Sequence, residues 1–187
     1  MTEAAEALRA GKAVLIPTET VVGLVASEAG LSRMQEMKRR EPGKAVALIC
    51  SSSAEAFALA RNIPPLAQKL AEIYWPGPLT LVLDALEGGT VGVRVPDHPA
   101  VQNLLAAFGG PLYATSANLA GERAPRGLEE VDPRVVEAVD LIVEAESGSG
   151  EASAVVDLSG GRVRLLRATE DLSEDELARL AADQRRS

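Results

Sequence analysis

Four short polar islands hold most of the side chains that could do chemistry, and each follows an apolar run. They are Thr18-Glu19-Thr20, Lys38-Arg39-Arg40 with Lys44, Ser116-Ala117-Asn118, and Ser153 with Arg167. Together they offer cations, hydroxyls and amides, but no evident nucleophile–base pair. Such a set suits the holding of an anionic ligand: guanidinium supplies two-pronged donors and ammonium a compact point charge. Strand ends in an open α/β sheet are where ligands tend to bind. Local structure offers another reading of each island. Cations at a helix end complement its dipole, and Ser116 and Asn118 can close a turn through their own backbone.

Arg94, in "VGVRVPDHP", lies in a strand pattern on the face opposite Val93 and Val95. It either meets solvent or points inward. If inward, it needs an anionic partner, because an unpaired buried charge is very costly. His98, the only histidine, stands at a helix start between Asp97 and Pro99 and is given no role beyond surface or cap. Asp84 and Asp157 follow apolar strands, where turn chemistry accounts for them better than metal binding. Cys50 sits inside "AVALIC" as a buried thiol; the chain has one cysteine and hence no internal disulfide.

The elements that must position these groups follow from periodicity and turn residues. Residues 2–10 form an amphipathic helix stopped by Gly11, and "KAVLIP" is a buried strand. Helical spacing recurs from Ser32 to Arg40, in "SAEAFALAR", in "PLAQKLAEIYW" and in "HPAVQNLLAAF", closed by Gly109 and Gly110. "AVALIC" is continuously apolar, as a central strand would be. "GPLTLVLDA" and "TVGVRVP" are β-rich and joined by "LEGGT"; "PLYATSAN" is a strand running into a polar loop. "VVEAVDLIVEA" is helix then strand, or strand alone. "SAVVDLSGGRVRLLRA" is a hairpin turning at Ser159–Gly161. Ser173 caps a last helix, with Glu176 at the capping-box position. The Gly/Ser-rich segment 146–153 is either a loop over a site or a surface excursion. Strands and helices mix without strict alternation, which predicts a mixed sheet with helices packed on it.

The chain has 187 residues, 47% hydrophobic and 25% charged, enough for one domain with a sizeable core. Aromatics are 3%, so Ala, Val, Leu and Ile must build that core. The net charge of −8 argues against a wholly basic nucleic-acid coat, yet leaves room for a local basic pocket. No signal-peptide core opens the chain, and no apolar run approaches the ~20 residues of a membrane span. A cytoplasmic location is therefore expected.

Taken in order, "PTETVVGL", "KRREPGK", "WPGPLTLVL", "VGVRVPDHPA", "TSANLAG" and "SAVVDLSGGRVRLLRA" resemble the YrdC/YciO-type family, the threonylcarbamoyl-AMP synthases. The similarity runs from about Lys12 to Ala168. It implies an α/β, YrdC-like fold: a twisted mixed parallel and antiparallel sheet, with helices around it and a concave basic cavity. Residues 1–187 are expected to form one YrdC-like domain without the additional C-terminal domain of longer relatives. The implied reaction joins L-threonine, bicarbonate and ATP into threonylcarbamoyl-AMP and pyrophosphate, for modification of tRNA. Mg²⁺ is expected to arrive with ATP.

By matching position, the resemblance assigns Thr20, Arg94, Ser116 and Ser153 to threonine and bicarbonate. It assigns Lys38, Arg40, Lys44, Thr90, Asn118 and Arg167 to the nucleotide. Val22 stands where many relatives carry tyrosine or phenylalanine, and Ile49 where some carry histidine, which implies a less polar amino-acid pocket. Two alternatives follow from the same surface. One is an RNA-binding module for double-stranded RNA or tRNA, and the other a nucleotide-binding paralogue with altered substrate.

Overall fold

The computed structural model describes residues 1–39 and 46–184. Its strands are β1 (Ala13–Pro17), β2 (Val22–Ala26), β3 (Ala47–Ile49), β4 (Leu79–Asp84), β5 (Thr90–Arg94), β6 (Leu112–Ser116), β7 (Leu141–Ile142), β8 (Ala154–Asp157) and β9 (Arg164–Arg167). They join one sheet in the order β7-β1-β2-β6-β3-β5-β4-β8-β9. β1–β7, β3–β5 and β4–β8 pair in parallel; the remaining pairs are antiparallel. This is the mixed sheet expected, with β3 at its centre.

The helices are α1 (Thr2–Arg9), α2 (Leu31–Met37), α3 (Ser53–Ala58), α4 (Pro65–Tyr74), α5 (Pro99–Phe108), α6 (Pro133–Ala138) and α7 (Glu174–Gln184). Their ends obey local chemistry. Pro99 opens α5, and Gly109 closes it at a φ of 84°, a left-handed cap that glycine adopts without strain. Ser173 Oγ accepts from the Glu176 N–H at 3.2 Å to start α7. In the 133–142 stretch the order is helix then strand, because Pro133 sits at N1 behind the Asp132 cap. β2 lacks the alternation that would mark it from sequence. All five of its residues are buried, since both of its faces are covered.

Alternation along the strands decides which side each residue serves. In β1, Val14 and Ile16 join a cluster with α1 and α5, while Ala13 and Leu15 join one with Met34 and Val135. In β4, Leu79, Leu81 and Leu83 enter a third cluster with Leu66, Leu70, Trp75 and Leu177 from the α4 and α7 side. Each such leucine contributes roughly 1.5–3 kcal/mol through burial. The opposite faces of β4, β5, β8 and β9 carry Thr80, Val82, Gly92, Arg94, Val155 and Arg167, and these line an open cavity instead.

Candidate functional site

The cavity is about 1040 Å³. Thr18 and Thr20 lead into it from the end of β1, and Ser116 and Asn118 from the end of β6. Thr90 and Arg94 come from β5, Ser153 from just before β8, Arg167 from β9, and Lys38 from the residue after α2. Thus Thr20, Lys38, Thr90, Arg94, Ser116, Asn118, Ser153 and Arg167, drawn from islands scattered over most of the chain, share one hollow. Arg40 and Lys44 lie outside the described residues. Among the described lining residues, Lys38, Arg39, Arg94 and Arg167 are cationic and Glu122 is anionic, although the whole chain is acidic.

Each island has a definite geometry. Thr18 Oγ1 donates to the Val21 carbonyl at 2.8 Å and accepts from the Thr20 N–H at 3.1 Å. The Thr20 hydroxyl must therefore be the donor in its 2.8 Å bond to Thr18 Oγ1. It also accepts from Arg94 Nη2 at 3.0 Å. Thr20 borders the cavity but is only 1% exposed, its hydroxyl spent on Thr18 and Arg94.

Arg94 points to the cavity side, and the anionic partner demanded of an inward arginine is Glu19. Its Nε donates to the Gly77 carbonyl at 3.2 Å, and its Nη2 to Glu19 Oε1 and Thr20 Oγ1. Lys38 is buried against β6. Its ammonium donates to Thr115 Oγ1 at 3.1 Å and to the Ser116 carbonyl. Ser116 Oγ donates to Asn118 Oδ1, and Asn118 Nδ2 donates to the Leu119 and Glu122 carbonyls at 2.8 Å each. The 116–118 island is thus both a turn and a cavity wall.

On the far wall, Ser153 Oγ meets Thr80 Oγ1 at 3.0 Å and accepts from Arg167 Nη2 at 3.1 Å. Partial burial, and then the neighbouring Arg94 charge, weaken the hold of Arg167 on its proton. Two guanidiniums that repel across a cavity are a seat for an anion between them.

Sequence reasoning missed Thr80 and Thr115. Thr80 could have been found, because alternation in "LTLVLD" separates it from Leu79, Leu81 and Leu83. Ile49 lines the cavity, but Val22 packs among Ala13, Leu15 and Leu24 on the opposite side and does not shape the pocket. The implied loss of polarity therefore rests on Ile49 alone. His98 does stand at the N-cap of α5, but it is buried rather than on the surface and its side chain makes no cap bond; its Nε2 bonds the Glu146 carbonyl at 2.9 Å instead. Cys50 is buried as expected, and burial, then the Glu55 charge, push its thiol up to about 12. Among the described residues, no three His, Cys, Asp or Glu side chains group as metal ligands.

Comparison with known proteins gives this arrangement a context. The Sua5/YciO/YrdC family model, described as telomere recombination, matches residues 6–169. A threonylcarbamoyl-AMP synthase of Stenotrophomonas maltophilia is 34% identical over 178 residues, covering 87% of this chain and 96% of that protein. One from Pyrococcus abyssi is 36% identical over 177 residues, but there the match spans 52% of the longer protein. Among solved structures, P. abyssi Sua5 complexed with L-threonine superposes with a TM-score of 0.87 at 32% identity, over 96% of this chain and 56% of that one. E. coli YciO superposes at 0.78 with 25% identity, over 89% and 87%.

Proposed function

The chain belongs to the Sua5/YciO/YrdC family, and from that premise we propose that it is an L-threonylcarbamoyladenylate synthase, a nucleotidyltransferase that uses L-threonine, bicarbonate and ATP. The observation that carries this reading is the convergence of Lys38, Arg94, Ser116, Asn118, Ser153 and Arg167 on one cavity. The cavity is large enough for a nucleotide beside a small amino acid.

The chemistry asks for alignment rather than a covalent nucleophile. The threonine amine captures bicarbonate as a carbamate with loss of water. A carbamate oxygen then attacks the α-phosphorus of ATP, and pyrophosphate leaves. Holding the two reactants in line and neutralising phosphate charge supply most of the acceleration in such displacements. Arg94 takes the threonine carboxylate, with Ser116 and Ser153 as neighbouring hydroxyls. Lys38 and Arg167 take phosphate oxygens, and Thr90 and Asn118 border the nucleotide. Arg40 and Lys44 are assigned to phosphate by the same matching. Cations, hydroxyls and amides fit a triphosphate that brings its own Mg²⁺, which neutralises the leaving pyrophosphate when bound.

The product is read as a precursor for tRNA modification, and the place of work as the cytoplasm. Consistent with that, no described helix is long and apolar enough to cross a membrane. Pyrophosphate release tests the reading: it is expected only when ATP, bicarbonate and threonine are all present. Release that ignores threonine, or is matched by alanine, would overturn it.

A further inference from the structure

Glu19 stands in the opening island yet is absent from the cavity wall, and its surroundings are more constrained than a surface glutamate needs. Its side chain is 16% exposed, and that of Arg94 is 12% exposed. Oε1 accepts from Arg94 Nη2 and from the Asp97 N–H at 3.1 Å. Oε2 is buried without a hydrogen-bond partner. Burying a carboxylate with one oxygen unsatisfied is unfavourable, so the pair contributes little to folding as such. What it does achieve is the orientation of a guanidinium.

Three of the five N–H groups of Arg94 are spent: Nε on the Gly77 carbonyl, and both Nη2 protons on Glu19 and Thr20. The two on Nη1 have no partner among the described residues, and Arg94 borders the cavity. A guanidinium is planar, so fixing Nε and Nη2 fixes Nη1.

The main chain of Glu19 is itself clamped. Ser149 N–H donates to the Glu19 carbonyl at 3.0 Å and Gly150 N–H to the Thr20 carbonyl at 2.6 Å. Gly148 lies so close to the Glu19 backbone that a Cβ there would overlap it. The His98 bond to Glu146 holds the same strap a few residues earlier. The Gly/Ser-rich segment 146–153 is therefore a strap over the opening island.

The geometry points to Glu19 as the positioning residue of the carboxylate subsite: clamped by the 148–150 strap, it fixes Arg94 so that Nη1 faces the ligand carboxylate. This deepens the synthase reading and rests on it for the identity of the ligand, threonine.

The test is calorimetric titration of the full chain with threonine and with Mg·ATP, alongside steady-state pyrophosphate release, for wild type, Glu19→Ala and Glu19→Gln. Glu19→Ala is expected to weaken threonine binding and raise its KM by about tenfold or more, the size of a charge-assisted bidentate contact. ATP affinity is expected to stay within about twofold, and kcat at saturating threonine to fall less than KM rises. Glu19→Gln keeps an acceptor for Arg94 and Asp97 and is expected to recover most of the loss. Gly148→Ala, which keeps the Glu19 carboxylate but displaces the backbone that carries it, is expected to follow Glu19→Ala.

Equal loss of threonine and ATP, no loss of threonine, failure of Glu19→Gln to recover, or wild-type behaviour of Gly148→Ala would each overturn the proposal. If the wild type binds threonine but releases no pyrophosphate, only the synthase reading falls and the Glu19 comparison stands on binding. If the wild type binds no threonine, both fall.

Discussion

Replacing Arg167 separates an effect on ligand binding from an effect on folding. Its described protein contacts are the Ser153 carbonyl and Ser153 Oγ; the residue as a whole is exposed on β9, while its guanidinium is part-buried where it meets Ser153. Its electrostatic neighbour is a like charge, Arg94. Replacing it with methionine keeps the stem and removes the guanidinium. In the ligand-free protein two hydrogen bonds are lost at a site water can reach, while desolvation and repulsion of the cation are relieved. The net change in stability is expected to lie within about 1 kcal/mol of zero.

With Mg·ATP bound the balance differs. A desolvated guanidinium–phosphate contact contributes about 1.5–3 kcal/mol. Discounting for the exposure of Arg167 leaves about 1–2 kcal/mol, a 5- to 30-fold weaker Kd. Calorimetric titration with Mg·ATP supplies the Kd, and melting with and without nucleotide supplies the stability. Arg167→Met is expected to melt with wild type when free, yet to gain less from ATP. Arg167→Lys, which keeps the charge but cannot reach both Ser153 oxygens and a phosphate, is expected to fall between. Affinity of Arg167→Met within twofold of wild type would refute the assignment. So would a large fall in the melting temperature of the free protein that accounted for the binding loss.

Two further outcomes check the frame around the site. Cys50, buried and with its thiol raised to about 12, is expected not to react with a thiol reagent at pH 8 until the chain unfolds; fast labelling of the native protein would contradict the packing. Burial alone would raise the Asp157 pKa, but bonds from Ser159 and Arg164 outweigh it and hold it below the ordinary 3.8. A depressed carboxylate stabilises the fold above its unfolded pKa and loses that contribution as pH falls through the folded one. Asp157→Asn is therefore expected to flatten the acid limb of the stability–pH curve below about pH 4, and an unchanged limb would contradict the assignment.

Much of the architecture is legible because it is local. The leucines of β4 and the valines of β5 alternate with Thr80, Val82, Gly92 and Arg94, so the covered and open faces can be told apart on paper. Helix ends are written in Pro99, Gly109 and Ser173. β2 is not legible in this way, because buried faces on both sides erase its period. The site is legible only as islands. That Glu19 pairs with Arg94, 75 positions away, or that Lys38 reaches Thr115 and Ser116, is set by sheet order and leaves no mark in either local pattern. The Gly/Ser segment is the sharpest case. Its composition is that of a surface excursion, yet Gly148 is required there because the strap backbone meets the Glu19 backbone too closely for a side chain.

In the proposed reaction, one cavity joins a carbamate made from threonine to the α-phosphorus of ATP. Incubation with ¹³C-bicarbonate, threonine and Mg·ATP, with mass analysis of the nucleotide products, tests it most directly. The expected product is an adenylate that carries threonine and one ¹³C, formed together with pyrophosphate and absent when threonine is omitted. An adenylate without the label, or formation of ADP and phosphate in place of pyrophosphate, would contradict it.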